Sequence, residues 1–311
     1  MILVTGGTGF IGKVLIKHLV EAGYSVRVLI RPSPRSPDIP RNVPVEVALC
    51  ALNDVRGLRS AMVGVETVFH LAGVERRGAY ASLNAVDIYG TRSVAETARD
   101  AGVKRLFYLS HLDADRSSAY PVFKAKAYAE EFIKRSGLDF TIFRTSIVFG
   151  PQDGFTTGLA RMLSVLPFIF LIPGDGNVLL QPLWVEDLVT CLTWALDDNR
   201  TLNEIYEIGG PEYLSLSNIL ALVMDTTGMR RKVIPTSPPY LRGLTVLMEA
   251  ILPGSPISVF WLDYLANNRT CTLDTLPRIF SLMPARMSQS LDYLKGVDWR
   301  MSLLRTLFRR K

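Results

Sequence analysis

In the first half of the chain, short apolar runs alternate with longer stretches whose apolar residues recur at helical spacing. Alternation of this kind predicts βαβ units and a parallel sheet. The expected strands are Ile2–Val4, Ser25–Ile30, Pro44–Leu49, Thr67–His70, Arg105–Leu109 and Phe140–Phe143. After the first of them, Val14, Leu15, His18, Leu19 and Ala22 share one helical face, and Gly23 stops the helix. His18 on that face reads as a packed or half-exposed residue rather than a ligand. The stretch Arg31–Pro44 carries five prolines and must be a loop, because each proline removes a backbone donor. After Pro151 the texture changes to segments bounded by glycine and proline, with helices expected near Leu188–Leu196 and Leu216–Thr227. Glu204–Gly210 reads as a strand returning to the main sheet, and from about Met229 the chain reads as helical and loop-rich.

Composition narrows the function classes. A chain of 311 residues can bury a sizeable core without disulfides or metal. Cys50, Cys191 and Cys271 are odd in number, far apart and form no CxxC, which points to a reducing compartment. His18, His70 and His111 are equally scattered, so no metal site is expected. The net charge of +6 is mild and spread out, which gives no indication of nucleic acid as a partner. Mean hydropathy is high at +0.21. Yet the most apolar run, Leu163–Ile172, is short and broken by Pro167, well below the ~18 residues of a membrane span. The chain opens directly on a strand, which leaves no room for a signal peptide, so a cytoplasmic protein is expected.

The strongest chemical signal is the opening "ILVTGGTGFIGKVLIKHL", a strand entering a glycine-rich turn from which a helix leaves. Gly6 allows the tight turn, Gly9 lets backbone approach a pyrophosphate, and Gly12 lets the helix pack close to the sheet. Phosphates then meet a helix N-terminus, where free N–H groups and the dipole favour anions; Thr8, Phe10 and Ile11 lie in the same turn. The expected fold is therefore α/β: a Rossmann-type doubly wound parallel sheet with a smaller, mainly helical C-terminal lobe. Residues 1–150 would form the dinucleotide-binding domain and 151–311 a substrate or partner lobe, with 180–210 returning to the sheet. An NAD site usually ends its second strand on an acid that binds the ribose hydroxyls. Here Arg31 stands there, with no acid until Asp38, so NADP(H) is expected over NAD(H). The alternative is a solvated loop arginine.

The segments "TGGTGFIG", "FHLAG" (Phe69–Gly73), "GVKRLFYLS" (Gly102–Ser110) and "IVFGPQD" (Ile147–Asp153) resemble the extended and atypical short-chain dehydrogenase/reductase superfamily, whose members include NAD(P)-dependent epimerases and dehydratases. "SHLDA", the helix around Lys126, "FGPQDGF" and "LQPLWVEDL" are more specifically similar to an atypical branch. That branch holds NmrA-like proteins and the nucleotide-binding accessory subunit of respiratory complex I. The resemblance implies further cofactor contacts from Leu71, Ala72 and Gly73, and from Thr145, Ser146, Ile147 and Val148 beside the nicotinamide. It also marks departures. Ala51 stands where an Asp near the adenine is usual, "RTS" (Arg144–Ser146) replaces "RPS", and Asp87 in "DIYGT" replaces an Asn.

The superfamily's chemistry uses a tyrosine acid/base and a lysine one helical turn on, whose charge lowers a phenol pKa that is otherwise near 10. Tyr120 and Lys124 have that spacing, but Val122 and Lys126 have the right position relative to the following "AYAEE". Two helical positions are about 200° of rotation, so the two pairs cannot face one pocket. Val122, Lys126, Ala129 and Ile133 form a stripe that is apolar except for its lysine, and should face the sheet; Lys124, Tyr128, Glu131 and Arg135 form a solvated one. Lys126 is thus the expected active-site lysine, with valine at the usual tyrosine position. Pro121 suits a first helical position, which would leave Tyr120 just outside the helix, free to bend toward the site as proton donor. His111, beside the usual catalytic serine position, is a second candidate acid/base; the alternative is a structural histidine at the mouth of the site.

Two functions from different classes follow. The first is an NADP(H)-dependent oxidoreductase or epimerase-type enzyme acting on a mostly apolar small molecule, with Leu163–Ile172 as a wall of its pocket. The second is a non-catalytic NADP(H)-binding structural or redox-sensing subunit. The tail "WRMSLLRTLFRRK" reads as a short helix with Met301, Leu304, Leu307 and Phe308 on one side and Arg305, Arg309, Arg310 and Lys311 near its end. Docking on its own domain is expected ahead of peripheral contact with an anionic membrane or a protein complex.

Overall fold

The computed structural model describes residues 1–34, 36, 38–74, 82–251, 256 and 258–308. The chain begins β1 (Ile2–Thr5), α1 (Phe10–Glu21), β2 (Val26–Ile30), β3 (Glu46–Leu49), α2 (Val55–Ala61) and β4 (Thr67–His70). A π-helical turn, Asn84–Ile88, leads into α3 (Tyr89–Asp100), β5 (Arg105–His111), α4 (Pro121–Lys134), β6 (Asp139–Thr145) and β7 (Val148–Phe149). Next come α5 (Thr156–Val165), β8 (Ile169–Pro173), β9 (Leu179–Leu180), β10 (Leu183–Trp184), α6 (Val185–Trp194), β11 (Glu204–Ile208) and β12 (Leu214–Ser215). The chain finishes with α7 (Leu216–Thr227), β13 (Lys232–Thr236), α8 (Pro238–Ile251), α9 (Val259–Tyr264), α10 (Thr275–Phe280) and α11 (Trp299–Phe308).

Seven parallel strands form the main sheet in the order β11-β6-β5-β4-β1-β2-β3. Strands buried on both faces need side chains for two cores, and β1 shows how. Ile2 and Val4 enter the cluster with Leu15, Ile16 and Leu19 of α1 and Leu188, Val189 and Leu192 of α6. Leu3 enters the opposite cluster with Leu58 of α2, Val94 and Ala98 of α3, and Ala129 and Ile133 of α4. His18 links α1 to α6 through a 2.6 Å contact of Nε2 with Glu186. Chain order reverses between β1 and β4, and this switch point opens the crevice at the carboxyl ends of the strands.

A second lobe packs around Phe123, Phe155, Leu163, Phe170, Leu220, Phe260 and Trp299. Its β8 pairs in parallel with β13. The segment Leu163–Ile172 therefore divides between the end of α5 and a strand, and "KVIPT" is a strand that helical expectations after Met229 missed. The tail helix docks on its own lobe through Trp299 and Leu303, with Arg300 Nε donating to Ser164 O at 2.8 Å. Of the residues grouped on the apolar side of this helix, Met301 and Leu304 are exposed, and the buried pair is Trp299 and Leu303, four residues apart. Residues 309–311 lie outside the described residues.

Candidate functional site

The glycine turn sits where the crevice opens. Gly6 has φ +74°, and a Cβ there would come within 2.6 Å of the Leu71 carbonyl carbon; one at Gly12 would come within 2.4 Å of Gly6 O. Both positions are closed to any side chain, so the turn lies flat against β4 while α1 starts directly on it. The cleft beyond has a volume of about 200 Å³. Gly6, Gly9, Phe10, Ile11 and Gly12 line it from one side, and Leu71 and Gly73 follow β4. Leu109, Ser110 and His111 come from the end of β5, Lys126 from α4, and Thr145, Ser146, Ile147 and Val148 from the β6–β7 turn. Thr8, Ala72, Arg31 and Tyr120 are not among its lining residues. Thr8 and Arg31 are exposed, the latter just beyond β2.

Helix α4 explains the lysines. Pro121 occupies its first turn and Tyr120 caps it in an extended conformation, outside the helix. Tyr120 turns its ring to the edge of Phe123, 6.2 Å between centroids. Val122, Lys126, Ala129 and Ile133 are buried, and Lys124 is exposed. The Lys126 ammonium lies 3.6 Å from Asp87 Oδ1, donates to Leu109 O at 3.4 Å and stands 5.3 Å from the Tyr108 ring centroid. The other oxygen of Asp87 accepts from Val74 N at 3.2 Å. Lys126 and Asp87 are thus a buried pair at the edge of the cleft, and the Asp that departs from the superfamily pattern is the lysine's counter-ion.

Beneath this pair lies His70. Thr91 gives its hydroxyl proton to Asp87 O (2.6 Å), so it accepts from His70 Nε2 (2.9 Å), while His70 Nδ1 accepts from Thr5 Oγ1 (2.7 Å). The network assigns the Nε2–H tautomer. Burial, with the Lys126 charge added, pushes the His70 pKa down to about 3. Ser110, next to His111, donates to Glu130 Oε1 at 2.6 Å, and Glu130 grips Arg144 at 2.7 Å. This serine's proton is committed to a structural carboxylate.

Sequence reasoning missed the roof. Phe260, Trp261 and Tyr264 of α9 line the cleft from above, and the Tyr264 phenol is buried there. His111 sits among aromatic rings, with centroids at 6.1 Å for Phe123, 6.1 Å for Phe260 and 5.9 Å for Tyr264. The roof is held by buried Arg269, which pairs with Asp113, donates to Tyr264 O at 3.2 Å and stacks 4.0 Å over Phe123. The spacing of Phe260 and Tyr264, one helical turn apart, was the available signal.

Trp261 also lines a second cavity of about 350 Å³. Its described lining is aliphatic and aromatic apart from Thr245 and Ser258. Leu159 and Met162 of α5, Phe170 and Ile172 of β8, and Leu220 of α7 form much of its wall. The glycine-loop cleft and an apolar chamber therefore share one indole.

Residues 6–161 match a family model described as NAD(P)H-binding. The chain belongs to that family. A protein of Synechocystis sp. provisionally named a dihydroflavonol 4-reductase is 32% identical over 73% of this chain and 72% of its own length. The mitochondrial NADH dehydrogenase [ubiquinone] 1 alpha subcomplex subunit 9 of Arabidopsis thaliana is 28% identical over 71% of this chain, but this chain spans only 56% of that protein. A triphenylmethane reductase structure from Citrobacter sp. superposes with a TM-score of 0.76 at 19% identity, covering 94% of this chain and 98% of that one, a likeness of fold. This NAD(P)H-binding chain is a member of the extended and atypical short-chain dehydrogenase/reductase superfamily, close to its NmrA-like branch.

Proposed function

We propose that the protein is an NADP(H)-dependent oxidoreductase whose substrate is a mostly apolar small molecule. The observation that carries this reading is the shared wall at Trp261: a glycine-loop cleft on one side, a cavity of about 350 Å³ lined by hydrocarbon on the other. Apolar lining with few polar groups is what a site for an apolar ligand requires. The cradle at Gly6 and Gly12, which any Cβ would fill, suits a pyrophosphate. Bound there, the nicotinamide would supply hydride. Lys126 would hold the ribose, and its charge is balanced by Asp87. The protein's own proton sources near the reacting end would be His111, with Tyr264 beside it; Tyr120 stands outside the cleft. Exposed Arg31 beyond β2 supports the 2′-phosphate, as does the pairing of Asp38, the first acid after that strand, with Lys13 at 2.7 Å. The test is NADPH oxidation against apolar carbonyl compounds, comparing wild type with Met162→Trp, which fills the chamber. The reading requires a raised KM in the variant with unchanged NADPH affinity; equal KM values would refute it.

A second reading has its own support. Val122 is buried where the superfamily's tyrosine stands, and one relative is named as a subunit of NADH dehydrogenase. On this reading the chain binds NADP(H) and serves as a structural or redox-sensing partner. Cofactor that co-purifies and never turns over across the substrate panel would decide for it, and multiple turnovers against it.

A further inference from the structure

Helix α8 is built the wrong way round for a surface helix in water. It buries Leu241, Thr245 and Glu249, with the Glu249 carboxylate accepting from Val259 N at 3.1 Å. Its outward stripe is Tyr240, Leu244, Leu247 and Ile251, at spacings of four, three and four residues, and these side chains are 80%, 46%, 56% and 64% exposed. Ordinary amphipathic helices turn such a stripe inward. The patch extends past α8. Leu244 and Ile169 both line the apolar chamber and are both exposed, so they form its rim, and Phe168 beside Ile169 is 80% exposed. A contiguous apolar surface around the mouth of an apolar cavity marks an interaction site.

Charge indicates the occupant. Residues 229–251 carry Arg230, Arg231, Lys232 and Arg242 against one acid, Glu249, which is buried. Arg242 pairs with buried Asp263 at 2.5 Å, Arg231 is held by the Leu163 and Leu166 carbonyls, and Arg230 stands 3.7 Å from Asp225. Exposed Lys232 and Arg230 therefore carry the outward charge of this stretch. Lys232 pairs with Ile169 across the β8–β13 ladder, and its N–H donates to Phe168 O at 3.0 Å, which places this exposed lysine beside the apolar rim. Apolar side chains flanked by exposed cations are the composition that settles on an anionic bilayer surface.

We propose that α8 and the β8 rim dock on an anionic phospholipid bilayer, with the chamber opening toward the lipid. The route this gives to an apolar substrate rests on the function proposed above; the docking itself rests on the stripe and its charges. The experiment is co-sedimentation of the full chain, without substrate, with phosphatidylcholine vesicles that contain or lack phosphatidylglycerol. Wild type should bind the anionic vesicles at least about tenfold more tightly than the neutral ones. Tyr240→Glu/Leu247→Glu, at positions that line neither cavity, should lose at least about tenfold of that affinity while NADPH binding stays unchanged. Arg230→Glu/Lys232→Glu should weaken binding at low salt and converge on wild type at high salt. Wild type that does not sediment with anionic vesicles, or stripe variants that bind like wild type, would overturn the proposal. So would light scattering that shows a wild-type dimer dissociated by Tyr240→Glu/Leu247→Glu, since a second copy would then be the occupant. NADPH affinity is read in the same samples, so failure to dock leaves the oxidoreductase reading standing and is distinguishable from its failure.

Discussion

Asp87 Oδ1 lies 3.6 Å from Lys126 Nζ, and both residues are buried. A lone ammonium at this depth would be destabilised by loss of hydration, and would tend to give up its proton. The carboxylate keeps the site neutral overall while leaving a cation at the cleft edge. The same carboxylate receives Val74 N, so the pair also fixes the backbone that follows β4.

Removing only the counter-ion should therefore be costly. Asp87→Ala leaves the ammonium without its carboxylate and should destabilise the protein by about 3–5 kcal/mol. Asp87→Asn keeps an acceptor for Val74 and should lose less. Lys126→Met added to Asp87→Asn should recover much of the loss, because both charges are then gone. Urea midpoints for wild type, Asp87→Asn, Lys126→Met and the double variant give the coupling; additive effects would show that the two side chains do not interact.

Lys126→Ala and Lys124→Ala should differ in kind. The first should weaken NADPH binding by at least about tenfold, near 1.4 kcal/mol. The second removes an exposed charge and should change affinity and stability by less than about 0.5 kcal/mol. Fluorescence titration of both variants checks this, and the reverse ranking would remove Lys126 from the cofactor site.

Cofactor choice should follow Arg31. A charge-assisted contact with a 2′-phosphate is worth roughly 1.5–3 kcal/mol, so wild type should prefer NADPH over NADH by about tenfold to a hundredfold. Arg31→Asp should narrow or invert that preference. Calorimetric titration that finds equal affinities in wild type would refute the assignment.

Stability should fall with acid because of His70. Its folded pKa of about 3 lies below the ordinary value of 6.5, so between these values the unfolded chain binds a proton that the folded protein refuses. The stabilisation is complete above pH ~6.5 and declines as pH drops toward 3, by up to about 1.4 kcal/mol per unit. Urea unfolding of wild type and His70→Gln across this window should show a shallower slope in the variant. Parallel slopes would mean that other groups control the acid transition.

Much of the architecture was legible because parallel strands demand runs such as "ILV" and helices an apolar stripe, and both patterns are local. The glycine turn was legible for a related reason: its steric limits fall on residues adjacent in sequence. The inward turn of Lys126 followed from the apolar stripe that carries it. The roof of the cleft was legible only as the aromatic spacing of Phe260 and Tyr264, which says nothing of where it packs. Phe260, Trp261 and Tyr264 reach it through a long-range fold, held by Arg269 against Asp113 and Phe123, and no local spacing announces a partner 156 residues away. Asp87 read as a departure from a pattern; only its distance from Lys126 gives it a role. β13 was hidden because "KVIPT" is short, contains a proline and pairs only with β8.

The seventh strand has a consequence for how the molecule is made. β11, residues 204–208, covers the open edge of β6, and α6 fills the core beneath β1. A nascent chain that has left the ribosome only through Thr145 holds six of the seven strands yet ends on an unpaired, aggregation-prone edge. The main sheet is complete only once residues through Ile208 have emerged, and a chaperone that shields the Asp139–Thr145 edge until then would raise the yield.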